Sequence, residues 1–136
     1  MERLIPTETI IALETVPLCY GLGATEELGF ELRRMGIKKA LLVTDSNLFE
    51  FGLPDKVKEI AVDADVKIEI FDRVHIEPTD KSFEEAIEAA KSNDWDSLIS
   101  VGGGSVIDTA KAMNLYSTHP APLMDYINKP VGKGQP

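Results

Sequence analysis

A short apolar run followed directly by three glycines constrains the fold of this 136-residue chain more than any other feature. Residues 98–101, with the sequence LISV, have the apolar and β-branched composition of a buried strand. The glycines that follow are Gly102, Gly103 and Gly104. Glycine lacks a Cβ, so the backbone can turn sharply there and a ligand can approach the main chain closely. The order of residues therefore predicts a strand, a tight turn and a helix.

The start of that helix is a candidate anion site. Ser105 is a favourable N-cap residue, and Asp108 stands three positions later, where it can return a hydrogen bond in a capping box. The free N–H groups and the positive dipole end of a helix attract anions, above all phosphates. We interpret the loop as a cradle for a dinucleotide pyrophosphate. The alternative is a strand-to-helix turn whose glycines only make the corner tight.

Two more apolar segments, each followed by a helical pattern, predict the rest of the sheet. Residues 39–44 form an apolar run, and residues 67–71 alternate polar and apolar residues as strands do at a sheet edge. Helical periodicity follows at residues 54–61 and 83–90. Strands that alternate with helices favour a mostly parallel, doubly wound, Rossmann-like α/β sheet with helices on both faces.

The N-terminal third carries weaker signals. Residues 9–20 contain two apolar patches that predict a strand or short hairpin, and residues 46–52 predict a loop. Between these stretches, Leu28, Leu32 and Met35 share one face of a helix. The glycine that follows them is expected to cap its C-terminus.

Composition changes near the C-terminus. Residues 117–136 are rich in proline and glycine. We predict an α/β nucleotide-binding domain over residues 1–116, and over residues 117–136 a segment that leads to a downstream strand and domain absent from this sequence. A doubly wound sheet normally continues beyond such a glycine loop. The chain is therefore expected to be a piece of a longer protein or a severely shortened one.

The acidic charge balance limits the partners. The chain has 14 Lys+Arg against 23 Asp+Glu, a net charge of −9, whereas nucleic acids and anionic membranes need a basic face. A phosphate held by backbone amides is compatible with this balance because such recognition is local. The single cysteine, Cys19, cannot form an intramolecular disulfide. It predicts a reducing compartment, for which we take the cytoplasm, and a buried thiol.

Asp45 is the candidate ribose ligand. It follows the strand at residues 39–44, at the strand end where ligands of open α/β sheets gather. A carboxylate there can accept hydrogen bonds from the adenine ribose and would repel a 2′-phosphate, which favours NAD over NADP. The alternative is an ordinary helix or turn cap. A second glycine pair, Gly21 and Gly23, begins a similar fingerprint, but Glu26 occupies its third glycine position and would repel a pyrophosphate.

The other polar residues carry weaker hypotheses. Asp108 is a candidate for a ribose hydroxyl or for the nicotinamide side, and Lys111 is interpreted as a solvated helix residue or an ion-pair partner rather than a catalytic base. His75 and His119 are isolated, so no local metal motif is present. The acidic cluster of residues 84–88 is interpreted as the solvated outer face of a helix, stabilised by Lys81 and Lys91.

Several motifs together carry a family resemblance that extends from about residue 15 to the last residue. Residues 101–112, VGGGSVIDTAKA, closely resemble the cofactor loop of iron-containing (group III) alcohol dehydrogenases. Residues 42–45, LVTD, resemble the ribose-binding strand end of that family, and Pro78 and Thr79 its loop before the next helix. The segments that look most like the hydroxyacid–oxoacid transhydrogenase branch are EPTDKSF at 77–83, NLY at 114–116, DYI at 125–127 and GKG at 132–134.

This resemblance implies an N-terminal nucleotide-binding domain and a C-terminal helical domain that holds Fe²⁺ or Zn²⁺ through one aspartate and three histidines. The cofactor residues it implies are Asp45 at the adenosine ribose, Gly103, Gly104 and Ser105 at the pyrophosphate with Gly102 in the same loop, and Asp108 on the nicotinamide side. The helical metal-binding domain is absent from this sequence. No catalytic or metal-ligating residue is therefore assigned, and we expect the chain alone to be inactive.

The function implied is that of the NAD-binding part of a metal-dependent alcohol or hydroxyacid dehydrogenase. The complete enzyme would transfer a hydride between nicotinamide and an alcohol or hydroxyacid. Expected partners are the dinucleotide and that substrate, without nucleic acid or membrane, and homo-oligomerisation stays open. Two alternatives remain: a non-catalytic nucleotide-binding module that acts with a partner chain, and a domain like those of glycerol-1-phosphate dehydrogenase and dehydroquinate synthase.

Overall fold

A three-stranded parallel sheet forms the centre of the part of the protein that the structure describes. The computed structural model describes residues 16–135. Its strands are β1 (Lys39–Val43), β2 (Lys67–Phe71) and β3 (Ser97–Ser100), in the spatial order β2-β1-β3. β1 pairs in parallel with both neighbours. The predicted parallel α/β sheet is confirmed, and β2 lies at an edge, as its alternating sequence indicated.

Six α-helices surround the sheet in the described part of the chain. They are α1 (Glu27–Arg34), α2 (Ser46–Glu50), α3 (Leu53–Asp63), α4 (Asp80–Lys91), α5 (Gly104–Thr118) and α6 (Leu123–Tyr126). Local sequence explains several boundaries. Gly36 follows α1 at φ +70°, which is typical of a glycine C-cap. Thr79 and Ser82 form a reciprocal capping box at the start of α4.

The hydrophobic core has two parts, one on each face of the sheet. On one face, Leu41 and Val43 of β1 pack with apolar residues of α4 and α5, including Met113. On the other face, Ala40 packs with Leu32 of α1 and with residues of α3 and the segment after it. Successive side chains of a strand point to opposite faces, so the apolar run in β1 serves both cores. Helices on both faces are thereby confirmed.

Two predictions for local structure were wrong. Residues 46–52 do not form a loop, because Ser46–Glu50 are the helix α2, whose first turn is capped by Asp45. Residues 16–20 form no strand, and residues 9–15 of that predicted hairpin lie outside the described residues. An extended segment becomes a strand only when another strand accepts its backbone hydrogen bonds, and no described strand lies alongside residues 16–20.

The burial of several side chains also differs from the prediction. β3 is half-buried rather than fully buried, because it forms an edge of the described sheet. Met35 is exposed although Leu32 on the same predicted face is buried, since α1 ends at Arg34. The thiol of Cys19 is exposed, not buried, because residues 16–20 lie on the surface.

The capping box predicted at Ser105 does not form. α5 begins at Gly104, Gly103 is its N-cap residue, and no side-chain capping bond is present. Ser105 is therefore the second residue of the helix, and its hydroxyl donates instead to the carbonyl oxygen of Ile76. A helix start that is shifted by two residues moves Asp108 out of the position that a capping box requires.

The strand order places a topological switch point at the carboxyl edge of the sheet. The chain reaches β2 on one side of β1 through α3, then returns through α4 to place β3 on the other side. Connections that leave neighbouring strands in opposite directions open a crevice between them, and ligands of open α/β sheets bind there. The Thr44 hydroxyl connects the ends of β1 and β3, because it donates a hydrogen bond to the Val101 carbonyl oxygen at 2.8 Å.

We expect Thr44→Val to lower the free energy of unfolding by about 1 kcal/mol, since it removes that hydrogen bond from a fully buried residue of nearly the same shape. Urea unfolding measures the change. The matched control is Thr118→Val at the exposed end of α5, where the expected change is within about 0.5 kcal/mol. Equal stability of the Thr44 variant and the wild type would contradict this assignment.

Candidate functional site

The candidate site lies at the carboxyl edge of the sheet. Parallel strands end at the same edge, so Asp45 after β1, Asp72 after β2 and Gly102 after β3 lie along it. The tertiary structure therefore brings together the two regions that the sequence singled out separately, the end of β1 and the glycine loop. The backbone confirms their proximity, since Val101 N donates to Val43 O at 2.9 Å.

The three consecutive glycines differ in what the fold requires of them. A Cβ added at Gly102 would lie 2.5 Å from Cγ2 of Val106, so the fold itself requires glycine at this position. A Cβ at Gly103 or Gly104 would meet no atom within 4 Å. Neither of these two residues has a positive φ. Packing and backbone conformation explain the first glycine and leave the second and third available for close approach by a ligand.

The N-terminus of α5 presents backbone donors beside those two glycines. Its first intrahelical bond runs from Ile107 N to Gly103 O at 3.0 Å. The N–H groups of Gly104, Ser105 and Val106 precede that bond and have no carbonyl partner within the helix. The dipole of this 15-residue helix adds positive potential at the same place. An anion at this end would accept several backbone hydrogen bonds.

The side chain of Ser105 forms a contact within the protein that the sequence did not predict. Its single hydroxyl proton is donated to the carbonyl oxygen of Ile76, in the loop between β2 and α4. A phosphate oxygen is an acceptor and would compete for that proton. Ser105 thus joins the loop after β2 to the start of α5, while its backbone N–H stays directed along the helix.

Asp45 has the capping role that the sequence left open. Leu48 N donates to its Oδ1 at 3.0 Å, so this oxygen caps α2. Among the described residues, Oδ2 has no such hydrogen bond. Asp45 also lines an open cavity of about 460 Å³ beside the ends of β1 and β2. The carboxylate can therefore cap the helix and accept a bond from a ligand in the cavity at the same time.

Four further charged or titratable side chains in this cavity were not assigned to the site from sequence. They are Asp72, Arg73, His75 and Glu85. Arg73 Nε is 2.9 Å from Glu85 Oε1, although Glu85 was expected to be paired only with lysines on the outer face of α4. The available signal was the position of Arg73 two residues after a strand, at the edge where ligands bind.

Asp108 and His119 lie outside this cavity. Asp108 is exposed on the first turns of α5, and its Oδ1 lies 3.7 Å from Lys111 Nζ, so Lys111 is a solvated ion-pair partner, one of the two roles that the sequence left open. His119 caps the far end of α5, about 15 residues from the glycine loop. Within residues 16–135, no three His, Cys, Asp or Glu side chains converge into a metal site. These residues do not fit the iron-type centre that the resemblance implies for the complete enzyme.

The strand order and the glycine loop at the start of α5 define a doubly wound α/β domain whose carboxyl edge carries a helix N-terminus with unpaired backbone N–H groups. The sequence model of the family described as iron-containing alcohol dehydrogenase matches residues 16–136. The chain therefore belongs to the iron-containing alcohol dehydrogenase family, and the predicted resemblance is confirmed.

Curated relatives narrow the comparison to one branch of that family. The chain is 44% identical over 130 residues to a mitochondrial hydroxyacid-oxoacid transhydrogenase of Xenopus tropicalis, covering 95% of the chain and 28% of the relative. It is 47% identical over 118 residues to the protein of the same name from Bos taurus, covering 86% and 25%. The chain thus spans about a quarter of the length of these relatives.

Solved structures confirm the fold. A 1,3-propanediol oxidoreductase matches with a TM-score of 0.71 and 30% identity over 81% of the chain and 30% of that structure. The NADH-dependent butanol dehydrogenase A of Thermotoga maritima matches with a TM-score of 0.73 and 25% identity over 84% of the chain and 29% of that structure. Both names are those of oxidoreductases.

The predicted cytoplasmic location is wrong, because the relatives at 42–47% identity are named as mitochondrial proteins. The prediction rested on a single cysteine, and a lack of disulfides indicates only a reducing compartment without specifying which one. Among the described residues, no helix is both long enough and apolar enough to cross a membrane.

The different roles of the glycines lead to opposite expectations for stability. Gly102→Ala should lower the free energy of unfolding by about 1–3 kcal/mol, because the new methyl group clashes with Val106. Gly104→Ala should leave it unchanged or raise it by up to about 1 kcal/mol, because the unfolded chain loses entropy and the fold has room. Urea unfolding of the two variants compares them directly. Equal destabilisation would show that both glycines serve the turn alone.

Proposed function

We propose that this chain binds NAD at the carboxyl edge of its sheet, as the nucleotide-binding part of a metal-dependent alcohol or hydroxyacid dehydrogenase. The observation that carries the proposal is the open space over Gly103 and Gly104, beside the unpaired N–H groups of α5. Family membership and the NADH-dependent structural relative support the choice of dinucleotide.

The pyrophosphate would be held mainly by backbone groups. The N–H groups of Gly104, Ser105 and Val106 point out of the start of α5, and the glycines allow a phosphate oxygen to come within hydrogen-bond distance. Ser105 keeps the loop after β2 in place through Ile76 and contributes its own N–H. Gly102 contributes indirectly, because it lets β3 and Val106 pack closely and so fixes the direction of the helix.

Asp45 would recognise the adenosine ribose. Its Oδ1 accepts from Leu48 N, which orients the carboxylate, and Oδ2 would serve as the acceptor for ribose hydroxyls in the cavity that Asp45 lines. Its negative charge disfavours a 2′-phosphate, so we expect NAD to bind more tightly than NADP. Asp108, exposed on α5 beyond the cradle, is proposed to face the nicotinamide half.

The chemistry supplied by bound NAD is acceptance or donation of a hydride. The described residues orient the cofactor for that step, and none of them is assigned a proton-transfer or metal-binding role. The names of the relatives support a hydroxyacid as the substrate class of the complete enzyme and the mitochondrion as its location. The substrate would be bound by residues other than those described.

We expect Gly104→Val to abolish detectable NAD binding while the chain stays folded. The branched side chain would occupy the space of the pyrophosphate, and no protein atom lies within 4 Å of its Cβ position. Isothermal titration calorimetry measures the affinity, and circular dichroism verifies the fold. Asn114→Val, which adds the same side chain to the exposed surface of α5 far from its start, is the matched control and should bind normally. Unchanged affinity in the Gly104 variant would remove the cradle from this loop.

We also expect the 136-residue chain alone not to oxidise alcohols or hydroxyacids. Its described residues do not bring together the ligands that a first-row metal prefers, so nothing in them polarises a substrate oxygen. NADH formation with several alcohols and with 2- and 4-hydroxyacids, together with elemental analysis, tests this. Turnover accompanied by one bound metal ion per chain would contradict it.

A further inference from the structure

The cavity beside Asp45 contains the guanidinium of Arg73, which already forms an ion pair within the protein. Arg73 follows β2 and lines the same open space as Asp45. If a nucleotide ribose reaches Asp45, its 2′-oxygen enters this space, and a group attached to that oxygen meets the charges around it. Arginine is a favourable partner for a phosphate because its planar donors match the phosphate oxygens. Arg73 is therefore the residue that would be expected to accept a 2′-phosphate.

Two contacts hold Arg73 in its present position. Its Nε lies 2.9 Å from Oε1 of Glu85 on α4. Its guanidinium carbon lies 5.1 Å from the ring centroid of Phe71, a buried residue of β2. The aromatic ring fixes one side of the guanidinium, and the carboxylate neutralises its charge.

The charge around the cavity is negative. Among the described residues that line it, three carry carboxylates: Asp45, Asp72 and Glu85. The same set contains one arginine, Arg73, and no lysine. Three acids and one base give these four residues a net formal charge of −2. A 2′-phosphate would add nearly two further negative charges, while the one strong cation remains paired.

From this arrangement we propose that Glu85 is a specificity-determining residue, which selects against a ribose 2′-phosphate by holding and neutralising Arg73. This inference rests on the proposed function, because it requires a dinucleotide ribose beside Asp45. Glu85 acts through Arg73 and is a positioning residue. The ion pair is largely exposed, so its contribution to folding stability is small and its effect is on the charge offered to the ligand.

The same helix provides a matched control. Glu88 of α4 forms a similar exposed ion pair, 3.0 Å from Lys91, and lies outside the cavity. Glu88→Gln and Glu85→Gln make the same chemical change at two positions one turn apart. Only Glu85→Gln frees the guanidinium of Arg73, which lines the cavity, from its ion pair.

The experiment is a calorimetric titration of the 136-residue chain and its variants with NAD⁺ and NADP⁺, two ligands that differ by the 2′-phosphate. Glu85→Gln should shift the ratio of the two affinities toward NADP⁺ by about two- to fivefold, the range expected for one solvent-exposed charge contact. Glu88→Gln should leave the ratio unchanged. Adding Arg73→Ala to Glu85→Gln should cancel the shift, because the released cation is then absent.

The ratio separates specificity from structural damage, which would lower both affinities together. An unchanged ratio in Glu85→Gln would overturn the inference. A ratio shifted further toward NAD⁺ would also overturn it, because Glu85 would then orient Arg73 onto the phosphate. If the wild type binds neither dinucleotide, the proposed function fails and the inference with it, whereas NAD⁺ binding with an unchanged ratio rejects the role of Glu85 alone.

Discussion

The backbone hydrogen bonds that join β1 in parallel to both β2 and β3 are the interaction on which the rest of the structure depends. β1 is the central strand, and its residues Ala40, Leu42 and Val43 are fully buried. Because β1 lies between the other strands, each face of the sheet is covered by a separate pair of helices. The same pairing aligns all three strand ends, so Asp45 and the glycine loop become neighbours although more than fifty residues separate them.

The glycine loop combines a structural and a ligand-related requirement in adjacent positions. Gly102 has no room for a side chain, because Val106 of the following helix packs against its backbone. Gly103 and Gly104 have room, and they face the unpaired backbone donors of the helix start. The packing of the turn therefore explains why glycine is needed at position 102, and it does not explain the glycines at positions 103 and 104. The close packing set by Gly102 fixes the direction of α5 and thereby aims its dipole at the crevice.

The acidic composition of the chain is compatible with a phosphate-bearing ligand because the proposed recognition is local. Backbone N–H groups of α5 supply the positive potential, and they do not depend on the net charge of −9. Carboxylates are concentrated beside them, around the cavity that Asp45 lines. Neighbouring parts of one edge of the sheet thus differ in potential: in the proposed function the helix start would attract a pyrophosphate, and the adjacent cavity would oppose an additional phosphate on the ribose.

The sequence by itself determined the periodic elements and the main features of the candidate site. The continuous apolar run of β1, the alternation in β2 and the helical stripe of α4 depend on neighbouring residues, so composition and spacing were sufficient to predict them. The family motif was equally local. The cap that Asp45 forms on α2 is also a local contact, which the sequence had offered as an alternative. Tertiary structure alone decided that Ser105 bonds Ile76 and that Arg73 pairs with Glu85. The physical reason is that the Ser105–Ile76 and Arg73–Glu85 contacts join residues on different elements. Which elements meet is determined by the crossover of the chain around β1, and no local sequence pattern specifies that crossover.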